Sequence, residues 1–271
     1  MNARQAGGKR GLTEPHMSIP VWTEMTWEEM RDLDRARTVA VLPAGAVEAH
    51  GPHLPLGTDL VIAEAMAREG ARRIQEKGLQ AVLLPSLAFT AAPFAAAFPG
   101  TLSVSPETVI GLVADLAREL TRQGFAALAV ANAHLDPAHR SSLTLAAERA
   151  RNLGHLPVVV PDLARRRWAE RLTEEFRSGA CHAGRFEGSI VMAERPAHVR
   201  QAIQDALPAN PASLSDAIRS GASTFAEAGG PRAYFGWPAE ATAEEGRATV
   251  EELGRILCDA VLETLRPEEA A

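Results

Sequence analysis

Short, unbroken apolar runs alternate with longer amphipathic stretches along most of the chain. Residues 38–43 (TVAVLP), 80–84, 125–131 (FAALAVA) and 157–160 are apolar apart from Thr38 and Gln80 at their starts, which predicts strands buried on both faces. Between them, residues 58–77 have helical spacing and stop at Gly78, and residues 106–123 follow Ser105 as N-cap and stop at Gly124. Residues 137–152, 162–177 and 242–265 also read as helices, and Thr26 caps a short helix with Glu28 and Glu29 in its first turn. Strands alternating with helices predict an α/β fold: a mostly parallel central sheet covered on both faces, a three-layer α/β/α arrangement. Sheets of that kind gather ligands beyond the carboxyl ends of their strands.

Three stretches lack a period. Residues 86–108 are poor in polar groups, 179–189 (GACHAGRFEGS) form a Gly-rich break before another helical stretch, and 210–236 offer helical fragments at best. Residues 1–17 are polar and aperiodic and read as a disordered arm, leaving 18–271 as a single domain. With 271 residues and 46% hydrophobic content, one large core is expected. A net charge of −6, with no basic block after the N-terminal tail, argues against nucleic acid or an anionic membrane as partner; the basic residues are almost all Arg, Lys9 and Lys77 being the only lysines. Cys181 and Cys258 are too few and too far apart for a disulfide framework or thiolate zinc site. No apolar run reaches membrane-spanning length and no signal-peptide core opens the chain, so a cytoplasmic protein is expected.

The chemistry concentrates where two strands end. After the first strand the chain reads LPAGAVEAHGPHLPLGTD, with Glu48, His50, His53 and Asp59 on a loop stiffened by Pro52, Pro55 and Gly57. Crowded carboxylates and imidazoles are expensive unless a cation neutralises them. Glu48 and His50 lie two apart, so on extended backbone they face the same way. Taken alone, Asp59 reads as a first-turn helix acid. The third strand runs into Asn132, His134 and Asp136, repeating the same spacing, and Asp136 also reads as a cap for the helix opening at Pro137. Glu48, His50, Asp59, His134 and Asp136 together suit two divalent ions sharing a bridging carboxylate. His182 sits between Gly179 and Gly184, which let the chain approach a ligand closely, with Glu187 five residues later, although a lone His beside Gly is more often structural. His53, His139, His155 and His198 read as loop or surface residues.

The motifs LPAGAVEAHGPHLPLGTD, FPGTLSVSPET, NAHLD, HAGRFEGS and FGWPAEATAEEG, in this order over residues 22–265, resemble the creatininase (creatinine amidohydrolase) family. The resemblance implies a three-layer α/β/α sandwich, often assembled as a hexameric homo-oligomer, with two divalent ions (zinc, manganese or iron) per chain. It implies that Glu48, Asp59 and His134 hold one ion and that His50, Asp59 and Asp136 hold a second, Asp59 bridging. His182 is then the proton-transfer residue, with Glu187 beside it. Members hydrolyse creatinine, deformylate a pyrimidine intermediate or trim a peptide. The implied activity is hydrolysis of a C–N bond in a small amide, lactam or formamide by metal-activated water.

Several positions depart from the family pattern. The common Asn-Gly-His-Gly-Gly-Asn is Asn132-Ala-His-Leu-Asp-Pro137 here, and the Glu-His before the FPGT segment is Phe94-Ala95. A frequent Ser is Ala92, Glu-Thr-Ser becomes Glu187-Gly188-Ser189, and the acid before the HAG triplet is absent, with Ala180 and Cys181 in its place. The metal half of the motif set is intact and the substrate half has become apolar. Two alternatives stay open: iron-dependent, non-hydrolytic chemistry on two His and one carboxylate, and a metal-binding protein without turnover.

Overall fold

The computed structural model describes residues 18–265 apart from residue 181; the arm expected at 1–17 lies outside the described residues. Four parallel strands, β1 (Thr38–Ala44), β2 (Gln80–Leu83), β3 (Ala127–Asn132) and β4 (Val158–Val159), lie in the order β2-β1-β3-β4. β1 and β3 are buried at every position, which is why they carry no polar alternation.

Helices cover both faces. Chain order gives α1 (Trp27–Asp32), α2 (Thr58–Glu76), α3 (Pro106–Gln123), α4 (Pro137–Asn152), α5 (Arg166–Ala169) and α6 (Glu174–Ser178). Then come α7 (Arg185–Glu194), α8 (Gln201–Asp205), α9 (Leu214–Arg219) and α10 (Ala243–Leu265). Alternation along β1 separates the two cores. Val39 and Val41 pack with Ile62 and Met66 of α2 and with Leu253, Ile256 and Leu257 of α10, whereas Ala40 and Leu42 pack with Val113 of α3 and Leu143 of α4. The three-layer α/β/α sandwich expected from the sequence is the observed architecture.

Local signals placed the ends of most elements. Thr26 and Glu29 form a reciprocal capping box, Ser105 accepts from the Thr108 N–H ahead of Pro106, and Gly124 ends α3 in the left-handed region. The helix expected over 162–177 is broken in two, because the Thr173 hydroxyl accepts from the Phe176 N–H and restarts the chain as α6. The Gly-rich break is shorter than expected, since α7 already begins at Arg185.

The sheet order makes a switch point. The chain leaves β1 toward β2 on one side and returns to β3 on the other, so the loops after β1 and β3 open side by side. Ala44 pairs with Asn132 at the carboxyl ends, and the Ala133 N–H donates to the Ala44 carbonyl at 3.0 Å, so both loops start level.

Candidate metal centre

Four elements bring the acid and imidazole groups together. The β1 loop supplies Glu48 and His50, the first turn of α2 supplies Asp59, the β3 loop supplies His134, and α7 with the turn before it supplies Glu187 and His182. All six are buried. A Cβ on Gly45 would lie 2.8 Å from the backbone carbonyl carbon of Asp59, so only glycine lets the β1 loop fold against α2 this closely. The Ala46 N–H donates to Asp59 Oδ2 at 3.2 Å and fixes that carboxylate.

Asp59 spans the cluster. Its Oδ1 lies 3.1 Å from His50 Nε2 and its Oδ2 lies 3.0 Å from His134 Nδ1. Glu48 Oε1 lies 3.3 Å from His134 Nδ1 and 3.9 Å from His182 Nδ1, and Glu187 Oε2 lies 3.5 Å from His50 Nε2. Three ligand triads result among the described residues: Glu48–Asp59–His134, His50–Asp59–Glu187 and Glu48–His50–His182.

Hydrogen bonds on the far side of each ring decide which nitrogen faces the cluster. His50 Nδ1 sits 3.1 Å from the Glu48 carbonyl, His134 Nε2 3.0 Å from the Ala91 carbonyl and His182 Nε2 2.9 Å from the Ala49 carbonyl. A carbonyl only accepts, so each of those nitrogens carries a proton, and in a neutral ring the other nitrogen presents a lone pair to the carboxylates. Lone pairs facing carboxylates need a positive charge between them. Glu48 Oε2 and His50 Nε2 are fully buried without a hydrogen-bond partner, and the donor set of imidazole and carboxylate fits a divalent cation.

Protons compete with a cation for that role, and the charges around each group set how strongly. Burial disfavours a charged His50, but Asp59, Glu187 and Glu48 override it and raise its pKa to about 10. Burial opposes charge on His134 too, yet Glu48 and Asp59 lift it well above the usual imidazole range. Asp59 is held far below the ordinary carboxylate range, since His50 and His134 outweigh its burial. Burial pushes Glu187 up to about 8. Burial, then the neighbouring His50 charge, drives His182 well below its ordinary value, which makes it a neutral ring.

Asp136 lines the same cavity but belongs to none of the triads. It caps α4, with Oδ1 accepting from the Ala138 N–H at 2.8 Å and Oδ2 from the Phe94 N–H at 3.2 Å. Glu187 stands in the second triad at the place the family resemblance gives to Asp136. His53 and His139, read as loop or surface residues, are fully buried, whereas His198 is exposed. His139 faces Asn132, its Nε2 3.0 Å from Oδ1, and the Asn132 amide in turn donates to the His134 carbonyl at 2.8 Å.

The wall above the cluster is apolar. Phe94, Leu214, Ile218 and Phe225 border a cavity of about 30 Å3, room for roughly one or two waters. Phe225, which no sequence signal marked, stacks on the His182 ring with centroids 4.1 Å apart. Thr90, the only polar side chain of the 89–98 segment, donates its hydroxyl to the Gly45 carbonyl at 2.8 Å and so faces the backbone.

A buried cluster of carboxylates and imidazoles at the switch point of an α/β/α sandwich defines a metal-site class of protein. The family profile for creatininase, creatinine amidohydrolase, matches residues 23–261, and the chain belongs to that family. A mycofactocin precursor peptide peptidase from Mycobacterium tuberculosis (strain ATCC 25618 / H37Rv) is 29% identical over 86% of this chain and 88% of its own length. Creatinine amidohydrolase from Pseudomonas putida is 33% identical over 42% of this chain and 44% of its own. A crystal structure of creatinine amidohydrolase (creatininase) superposes with a TM-score of 0.66 at 26% identity, covering 91% of this chain and 98% of that one. A manganese creatininase superposes with the same TM-score at 25% identity, over 92% of this chain and 100% of the other.

Proposed function

We propose that this chain is a metal-dependent amidohydrolase that cleaves a C–N bond of a small amide, lactam or formamide carrying an apolar portion. The observation behind the reading is the Asp59 carboxylate set between two histidine lone pairs from different loops, at 3.1 and 3.0 Å. Glu48, Asp59 and His134 would hold one divalent ion, and His50 and Asp59 the second, completed by Glu187 from the first turn of α7. Zinc, manganese and iron all suit these donors. When bound, such ions supply Lewis acidity toward a carbonyl oxygen and bring the pKa of water toward neutrality.

The residues around the ions do the rest. His182 is neutral, with Nδ1 turned into the cavity and its Nε2–H tied to the Ala49 carbonyl, so Nδ1 is the atom that takes a proton and returns it to the departing nitrogen. Phe225 covers one face of that ring and Phe94 packs against Phe225, and both border the cavity, which presents an apolar wall to the substrate.

A second reading is favoured by the relatives that align along most of the chain and are named as peptidases of a peptide precursor: a peptide amide bond as substrate. Both readings are tested together by metal-loaded protein offered matched amides, lactams, formamides and short peptides. Cleavage confined to peptides would leave the second reading standing; no cleavage, with full metal loading, would remove hydrolysis.

A further inference from the structure

Glu175 lies in α6, outside the metal cluster, and is almost fully buried, 1% exposed. Among the described residues, its carboxylate accepts three backbone N–H groups and no other donor. Oε1 takes Arg185 N–H at 2.8 Å and Trp237 N–H at 2.7 Å, and Oε2 takes Phe186 N–H at 2.5 Å. The Arg185 guanidinium beside it turns to Glu240 and Glu245. A buried anion with no cation in contact is costly, so its three donors are the reason it is tolerated.

Those donors belong to the two segments that enclose His182. Arg185 and Phe186 are the first two residues of α7, whose own N-cap position, Gly184, offers no side chain, so Glu175 serves as a remote cap. Glu187, one residue on, turns its Oε2 to the Ala183 N–H at 2.6 Å, and Ala183 holds a positive φ of 50° that a non-glycine residue adopts only under constraint. On the other side, Trp237 continues from Phe235, whose N–H donates to the His182 carbonyl at 2.8 Å. Glu175 therefore joins the start of α7 to the 235–237 segment, with the strained turn of residues 182–184 clamped between them. A Cβ on Gly236 would sit 2.0 Å from Glu175 Oε1, so the chain leaves that space for the carboxylate alone.

We propose that Glu175 is a positioning residue for the proton-transfer end of the site: it fixes where His182 and Glu187 stand relative to the metal ligands of the β1 and β3 loops. This rests on the hydrolytic reading for its effect on turnover, but the placement of the ring is measurable without it. Glu175→Gln keeps the shape and an acceptor for two of the donors, and turns an NH2 toward the third.

The test compares parent and Glu175→Gln as full-length, zinc-loaded protein with labelled histidine. Expected are an unchanged zinc content at the Glu48, Asp59 and His134 triad, a displaced His182 ring resonance with His134 unmoved, and kcat lowered about 10–100-fold at near-constant KM. A His182 resonance and kcat both equal to the parent's, with only Tm lowered, would make Glu175 a structural residue and overturn the proposal. If the parent itself binds no metal or turns over no amide, the hydrolytic reading fails, while the His182 resonance still decides the positioning role. Glu175→Asp, which keeps the charge but withdraws it from the donors, carries the same readouts should the Gln variant not fold.

Discussion

Asp59 Oδ2 lies 3.0 Å from His134 Nδ1, although Asp59 comes from the helix after β1 and His134 from the loop after β3. One carboxylate thus closes the gap between the two loops that the sheet order opens side by side. Because its other oxygen faces His50, Asp59→Ala should remove both ions from protein reconstituted with excess zinc or manganese, read by elemental analysis after desalting. Parent and variant carrying equal metal would sink the bridging role.

The second ion separates two assignments. The family resemblance gives its third ligand to Asp136, whereas Asp136 here spends both oxygens on backbone N–H groups and Glu187 faces His50 at 3.5 Å. Glu187→Gln should therefore bind close to one ion per chain, and Asp136→Asn should keep two, because Asn caps a helix about as well as Asp. The reverse pattern, with Asp136→Asn short of one ion, would restore the ligand set implied by the resemblance.

Metal uptake should be coupled to pH. In the metal-free protein, burial disfavours a charged His50 but Asp59, Glu187 and Glu48 raise it to about 10, and burial raises Glu187 to about 8. Both groups then carry protons at neutral pH that a cation must displace. Since the protonated forms belong to the empty site, affinity should increase as pH rises from 6 toward 8, and the dependence should weaken once Glu187 has lost its proton. Isothermal titration in buffers of different ionisation enthalpy would count the protons released; zero release at pH 7 would contradict these values.

His182→Ala should leave metal content intact and lower turnover by roughly 10²–10⁴-fold, the ordinary worth of a positioned acid–base group. Its Nδ1 lies 3.9 Å from Glu48 Oε1 and belongs to a possible triad with Glu48 and His50, so metal content is the deciding measurement. A lost ion would make His182 a ligand.

Much of this was legible in the sequence. Unbroken apolar runs gave the buried strands, and their carboxyl ends carried the paired His and acid residues. The burial of His139 also left a trace, because His139, Leu143, Ala146 and Ala150 form one helical stripe that α4 turns inward. His53 left none: it sits in an irregular loop where no period reports which way a side chain points. The same holds for Phe225, in a stretch of Ala, Ser and Gly whose shape is set by contacts with Phe94, Phe98, His182 and Phe235 rather than by local preference. Asp136 shows the opposite difficulty, since a cap and a ligand share one signature and only the position of Glu187 separates them.

The wall of the cavity bears on substrate choice. Phe94, Leu214, Ile218 and Phe225 offer no hydrogen bonds from their side chains, and the hydroxyl of Thr90 is already given to the Gly45 carbonyl. A compact, highly polar substrate such as creatinine would leave buried donors and acceptors unpaired, at about 1–3 kcal/mol each, or roughly 5–150-fold in kcat/KM per group. Creatinine turnover should therefore be negligible, and amides or lactams with an apolar substituent should be preferred. Phe94→Ala should narrow that preference without changing metal content, because its side chain borders the cavity and contacts Phe225 with ring centroids 5.9 Å apart. A kcat/KM series over substrates of rising apolar size, on parent and variant, is the measurement. Efficient creatinine hydrolysis by the parent would overturn the assignment of this wall as the substrate-facing surface.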